Sequence, residues 1–303
     1  MNTEPFLPNQ RKTNFVWTPG KTVLLWLLLV VLFFGIYELF TPPAGHVTHA
    51  HAQSSDDGDF GAFLASLLGG LAALWVAWAL WTQRSLRRAV VMNGEGLELL
   101  GRGELHKAQA LFETMGRKFS RLRTIKGLAQ HNLAWAYLVD GQLQRATTEL
   151  DALERRDGLA TMPSLKAGAA ADLAHCHALS GQCELATPWL AEAEKRKPAA
   201  AEPLKLIGSL TLVRAVIACR QDQPAEATRL IDRDWHTLEG LGGDQLRPLR
   251  LLRAFALSAA SGPRDDGAVD RLLAPLRESR PGSLRYLTVA WPELAAFMDL
   301  HHV

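Results

Sequence analysis

Apolar positions divide the chain into two regions of different pattern. From 22 to 40 the sequence TVLLWLLLVVLFFGIYELF is almost continuous hydrocarbon, with Glu38 as its one charge. At 1.5 Å rise per residue such a helix is about 28 Å long, enough for a bilayer core. A second run, FGAFLASLLGGLAALWVAWALW, begins at residue 60 and carries no charge. Transmembrane helices are therefore predicted over 22–40 and 60–82. From 89 onwards apolar residues recur at helical period between Gly, Pro and Asp breaks, without a strand-like alternation. The pattern predicts an all-α protein, with a helical domain over 89–303.

One signature repeats inside that domain. A glycine is followed five residues later by alanine at Gly103 and Ala108, Gly141 and Ala146, and Gly181 and Ala186. A degenerate copy has Asp222 and Ala227, and a looser fifth runs from Gly262 to Ala268. The alanines are 38, 40, 41 and 41 residues apart. Glycine adopts the left-handed conformation that closes a helix, and alanine lets a second helix cross close to the first. Phe112, Leu150, Leu190 and Ile231 each lie four residues after their alanine and are expected to fill the remaining space. Pro163, Pro203 and the Gly242-Gly243-Asp244 stretch mark later hairpin starts.

These residues resemble the tetratricopeptide repeat family. In the second copy Leu133, Ala134 and Tyr137 precede Gly141, Ala146 and Leu150 at that family's spacing, and in the first copy Gly96 takes the family's small first-helix position. Leu173, Ala174, Ala193 and Pro198 extend the match in the third copy. The period is longer than the family's, which is about 34 residues. The resemblance implies an α-solenoid of about five helix hairpins with an extended interaction surface. The C-terminal segment SLRYLTVAWPELAAFMDL is expected to be helical, broken near Pro292, and to cap the apolar end of the stack.

Charge supplies a topology. Arg11, Lys12 and Lys21 precede the first run, Arg84, Arg87 and Arg88 follow the second, and no Lys or Arg lies between the runs. The N-terminal tail, 1–21, and the helical domain are thus expected on the cytoplasmic side of an inner or plasma membrane, with a short external loop over 41–59. Asp56, Asp57 and Asp59 fit that loop, while Trp17, Trp81 and Tyr37 fit headgroup positions. Ala50-His51-Ala52 has the form of a signal-peptide cleavage site, but the apolar run is too long and too distant for that reading. Gly61, Ala65, Gly69, Ala73 and Ala77 recur every four residues and line one helix face. Such a stripe admits close helix packing, against the first membrane helix or in a homodimer.

Candidate chemistry is sparse. With 33 Lys plus Arg against 31 Asp plus Glu, general nucleic-acid binding is not expected. Three cysteines, Cys176, Cys183 and Cys219, form neither a disulfide framework nor a zinc-ribbon spacing. PGKT at 19–22 lacks the first glycine and the preceding strand of a phosphate-binding loop, and no nucleophile motif occurs. Two histidine groups remain: His46, His49 and His51 in the loop, as metal or proton ligands, and His175-Cys176-His177 with Cys183. Basic residues cluster at Arg117, Lys118, Arg121, Arg123 and Lys126, where an acidic peptide or anionic lipid could dock. Arg247, Arg250 and Arg253 form a second stripe suited to an acidic peptide. Asn132 matches one position of the family's carboxylate clamp, but Gly168 and Asp172 stand where that clamp has basic residues.

The expected function is non-enzymatic and without a cofactor: a membrane-anchored scaffold that binds a cytoplasmic protein or peptide. The alternative is a sensor or transporter accessory whose His/Asp loop binds metal or protons. The order of elements is also similar to that of bacterial inner-membrane tetratricopeptide proteins of the HemY type, a likeness of layout that implies no heme chemistry.

Overall fold

The structure is a computed structural model that describes residues 56–197, 204–240, 243–261, 266–277 and 284–303. The first predicted membrane helix, most of the loop, and His46, His49 and His51 lie outside the described residues. Among the described residues there are eleven α-helices and no strand. In order they are α1 (Asp56–Gly101), α2 (Leu105–Lys118), α3 (Arg123–Val139), α4 (Leu143–Arg155), α5 (Pro163–Leu179) and α6 (Cys183–Lys195). They continue as α7 (Leu204–Arg220), α8 (Pro224–Leu238), α9 (Gly243–Ser261), α10 (Asp266–Arg277) and α11 (Pro292–His301), with a 3-10 turn at Arg285–Thr288 before α11.

The chain forms two compact units, Met1–Gln83 and Arg84–Val303, and α1 belongs to both. Asp56, Asp57 and Asp59 form the first turn of α1 rather than a loop, an arrangement that the positive end of the helix dipole favours. In the first unit the large apolar side chains of α1, among them Leu71, Leu74, Trp78 and Trp81, are exposed. Of the described residues, this is the one helix long and apolar enough to cross a bilayer. Gly69, Ala73 and Ala77 are exposed on it, and Gly61 and Ala65 lie in the same helix. No proline interrupts the helix between the apolar run and Gly101. Within the second unit a face of α1 through Ser85, Ala89 and Gly96 becomes buried, so its last turns serve as the first helix of the first hairpin.

Each described hairpin turn closes in the same way. Gly103, Gly141 and Gly181 have φ of 73°, 76° and 77°, and Asp222 takes φ 56° in the fourth turn. The amide of Gly141 donates to the Leu138 carbonyl at 2.9 Å, and that of Gln142 to Tyr137 at 2.8 Å. Equivalent pairs join Gly181 to Ala178 and Gln182 to His177, and Asp222 to Cys219 and Gln223 to Ala218. This doubly bonded closure satisfies the last carbonyls of the helix and needs one left-handed residue, which aspartate tolerates better than most.

Packing follows the alanines. Ala108, Ala146, Ala186 and Ala227 have no exposed surface, and Phe112, Leu150 and Ile231 are almost fully buried. Leu190 is only half-buried, against the edges of two apolar clusters. In the fifth hairpin the buried pair is Val269 and Leu273, one residue beyond the alanine of the signature, and Ala268 is half-buried. Helices pack in sequence from α2 to α10, save that α6 and α7 meet less closely than α5 and α7. Each of α3, α5 and α7 also touches the next odd-numbered helix, so the first helices form a layer through α9.

Candidate interaction surface

The first helices have few polar faces. In α5, Ala167, Ala169, Ala170, Ala171, Leu173 and Ala174 are all buried, and in α7 every residue from Leu210 to Val213 and from Ala215 to Cys219 is buried. Side chains buried all round a helix need neighbours all round it. The second helices cover one side and adjacent hairpins the flanks.

Residues 284–303 cover much of the rest. Tyr286 meets the His175 ring of α5 edge-on, with centroids 6.3 Å apart, and Leu287 is fully buried. Val289 lies over the turn between α3 and α4, where a Cβ on Gly141 would come within 2.7 Å of its Cγ2. Arg220, the last residue of α7, donates to the carbonyls of Leu179 and Ala290, and its guanidinium sits 4.6 Å from the centre of the Trp291 ring. Trp291 and Phe297 each pack edge-on against Phe255 of α9, at 5.4 and 5.5 Å. The segment thus crosses the layer from the second hairpin to the fifth. It also touches α10, where Arg277 donates to the His301 carbonyl at 2.9 Å.

A polar group lies beneath it. His131 Nε2 of α3 is 3.0 Å from the Asp172 carboxylate of α5. His175 is wholly buried, which lowers its pKa to about 4 despite the opposing field of Asp172, so its ring is neutral. Burial, with Asp172 adding to it, also raises the Tyr286 pKa. Cys176 and Cys219 are buried thiols pushed up to about 12, chiefly by desolvation, and are poor nucleophiles. Among the described residues no group of histidine, cysteine and carboxylate side chains has the arrangement of a metal site.

The polar residues singled out in the sequence are largely engaged within the fold. Asn132 is buried and its amide donates to the side-chain oxygen of Asn93, joining the first and second hairpins. Arg253 pairs with Asp232 of α8 at 2.7 Å and lies 4.8 Å from the Trp235 ring centre. Arg247 and Arg250 are half-buried, and Arg247 is close enough to Tyr286 to oppose the rise in its pKa. The C-terminal segment is helical and broken before Pro292 as the sequence predicts, but it lies across the first helices rather than only over the end of the stack. Its signal is the run Tyr286, Leu287, Trp291, Leu294 and Phe297, too rich in large apolar groups for a frayed end.

No family model matches the chain, and no curated protein or solved structure matches it either.

Proposed function

We propose that this protein is a membrane-anchored scaffold, in which a tetratricopeptide-like solenoid of about five hairpins binds a protein or peptide partner at the cytoplasmic face of the membrane. Two membrane helices, the second continuous with the first hairpin, hold it there with both termini on the cytoplasmic side. The reading is supported above all by the layer of first helices, across which the chain lays its own residues 284–291. A surface that holds a short turn-and-helix segment of its own chain by apolar and cation–π contacts has the chemistry to take a similar segment from a partner. The basic residues around 84–88 support the orientation.

The test is affinity capture of the full-length protein from detergent-solubilised membranes, in parallel with Ala146→Trp, which overfills the crossing in the second hairpin. A specific partner is expected with the native chain and lost with the variant. A partner set unchanged by a variant that measurably disrupts the stack would overturn the scaffold reading.

A further inference from the structure

The turns between hairpins form an edge of the second unit whose charge differs from that of the opposite edge. Phe119 of the α2–α3 connection and Ile125 of the first turn of α3 pack with Ala89 of α1 in one buried cluster, flanked by Met92 and Leu122. That contact fixes the connection beside the turns of α1 that carry Arg84, Arg87 and Arg88. Arg117, Lys118, Arg121 and Lys126 are exposed around it. The α4–α5 turn is the next neighbour, since Arg123 donates to the Arg156 carbonyl at 2.5 Å and Thr124 meets Thr161 at 3.1 Å. It adds Arg155 and Arg156, both exposed.

Carboxylates on this edge already have cations. Asp157 pairs with Lys166 at 2.6 Å, and Glu154 and Glu192 share Arg196 at 2.8 Å each. Among the described residues, none of the exposed cations on α1 or the α2–α3 connection pairs with a carboxylate. The opposite edge is balanced: Glu98 pairs with Arg102, Glu104 with Lys107 and Glu226 with Arg229.

We infer that this basic edge docks on the anionic lipid headgroups of the leaflet into which α1 inserts. Arg84 stands three residues after Trp81, where the apolar run of α1 ends, so the bilayer surface is within chain reach of the edge. The only aromatic side chain in the α2–α3 connection, Phe119, is buried, so that connection offers no exposed ring on which a nucleic-acid base could stack. Basic groups concentrate near an anionic surface within about one Debye length, roughly 8 Å at physiological salt. This inference rests on the membrane-anchor part of the proposed function but not on its partner-binding part, because it uses a different surface.

The test is hydrogen exchange of the full-length protein in vesicles of phosphatidylcholine alone and of phosphatidylcholine mixed with phosphatidylglycerol, at about 0.15 M salt. Amides of residues 117–124 are expected to exchange several-fold more slowly in the anionic vesicles, while the turn at Asp140–Gln142 stays unchanged. High salt, and the surface variant Arg117→Gln with Lys118→Gln and Arg121→Gln, should remove the difference without altering helicity. Equal exchange in the two vesicle types would overturn the inference. Protection that resists salt, or that needs an added protein or nucleic acid, would overturn it too.

Discussion

Gly141 and Gly181 share a backbone conformation but not a neighbourhood. Both have φ near 76°, yet a Cβ on Gly181 would meet open space, whereas one on Gly141 would press on Val289. Gly181→Ala should therefore cost only left-handed strain, about 1–2 kcal/mol. Gly141→Ala should cost more and should loosen residues 284–291, a difference readable by thermal unfolding and by exchange at the C-terminal segment. Equal losses at the two sites would contradict the docking of Val289. His175 makes a separate prediction about acid. Its folded-state pKa, about 4, lies below the ordinary value, 6.5, so between them the unfolded chain binds the proton more readily. Stability from this burial is complete above about pH 6.5 and falls towards pH 4, by roughly 3 kcal/mol in all. Asp172 is the charged neighbour and its field opposes the shift, while the Tyr286 ring packs edge-on against the imidazole. His175→Phe should flatten that acid limb in urea titrations across the range; an unchanged limb would assign the loss to other groups.

At the scale of the helix, the contact of Gly96 with Phe112 shows how the first hairpin closes. A Cβ at Gly96 would stand 2.5 Å from the Phe112 ring, so the two helices meet at a glycine facing an aromatic. Gly96→Ala should destabilise by about 1–3 kcal/mol through overpacking. Phe112→Leu in the same chain should recover part of that loss, giving non-additive unfolding energies. Strict additivity would mean that the two residues do not meet. Helical hairpins were legible in the sequence for local reasons: a left-handed closing residue and a small crossing residue both lie within a few positions of the turn. Where the crossing residue was larger, as at Val269, the signature pointed one position early, to Ala268. Gly96 was legible as a small position of the first hairpin helix, but the continuity of that helix with the apolar run, in one helix over Asp56–Gly101, was not, because the pattern was divided between 82 and 89. Asn132 was legible as a special polar position, but its partner, Asn93, lies 39 residues away and has no local signal.

The architecture of the second unit depends on a contact that closes late in the chain. α5 and α7 are apolar on nearly every side, and Tyr286, Leu287 and Trp291 lie where no other helix covers them. Helix formation within the hairpins needs only local turns and neighbouring helices, whereas burial of that layer needs residues as far away as Val289, 148 positions beyond the Gly141 turn it covers. The two should come apart experimentally. Trp291→Ala removes the ring held between Arg220 and Phe255 and should cost about 3–5 kcal/mol, the usual range for a buried large aromatic. Truncation before residue 284 should go further: far-ultraviolet circular dichroism should stay close to native, while an apolar dye binds and the protein self-associates, since an uncovered apolar layer of this extent is an aggregation surface. If the truncated chain instead remains monomeric and dye-negative, the segment is not what covers the first helices. Simultaneous loss of helicity would mean that the hairpins do not hold their structure without it.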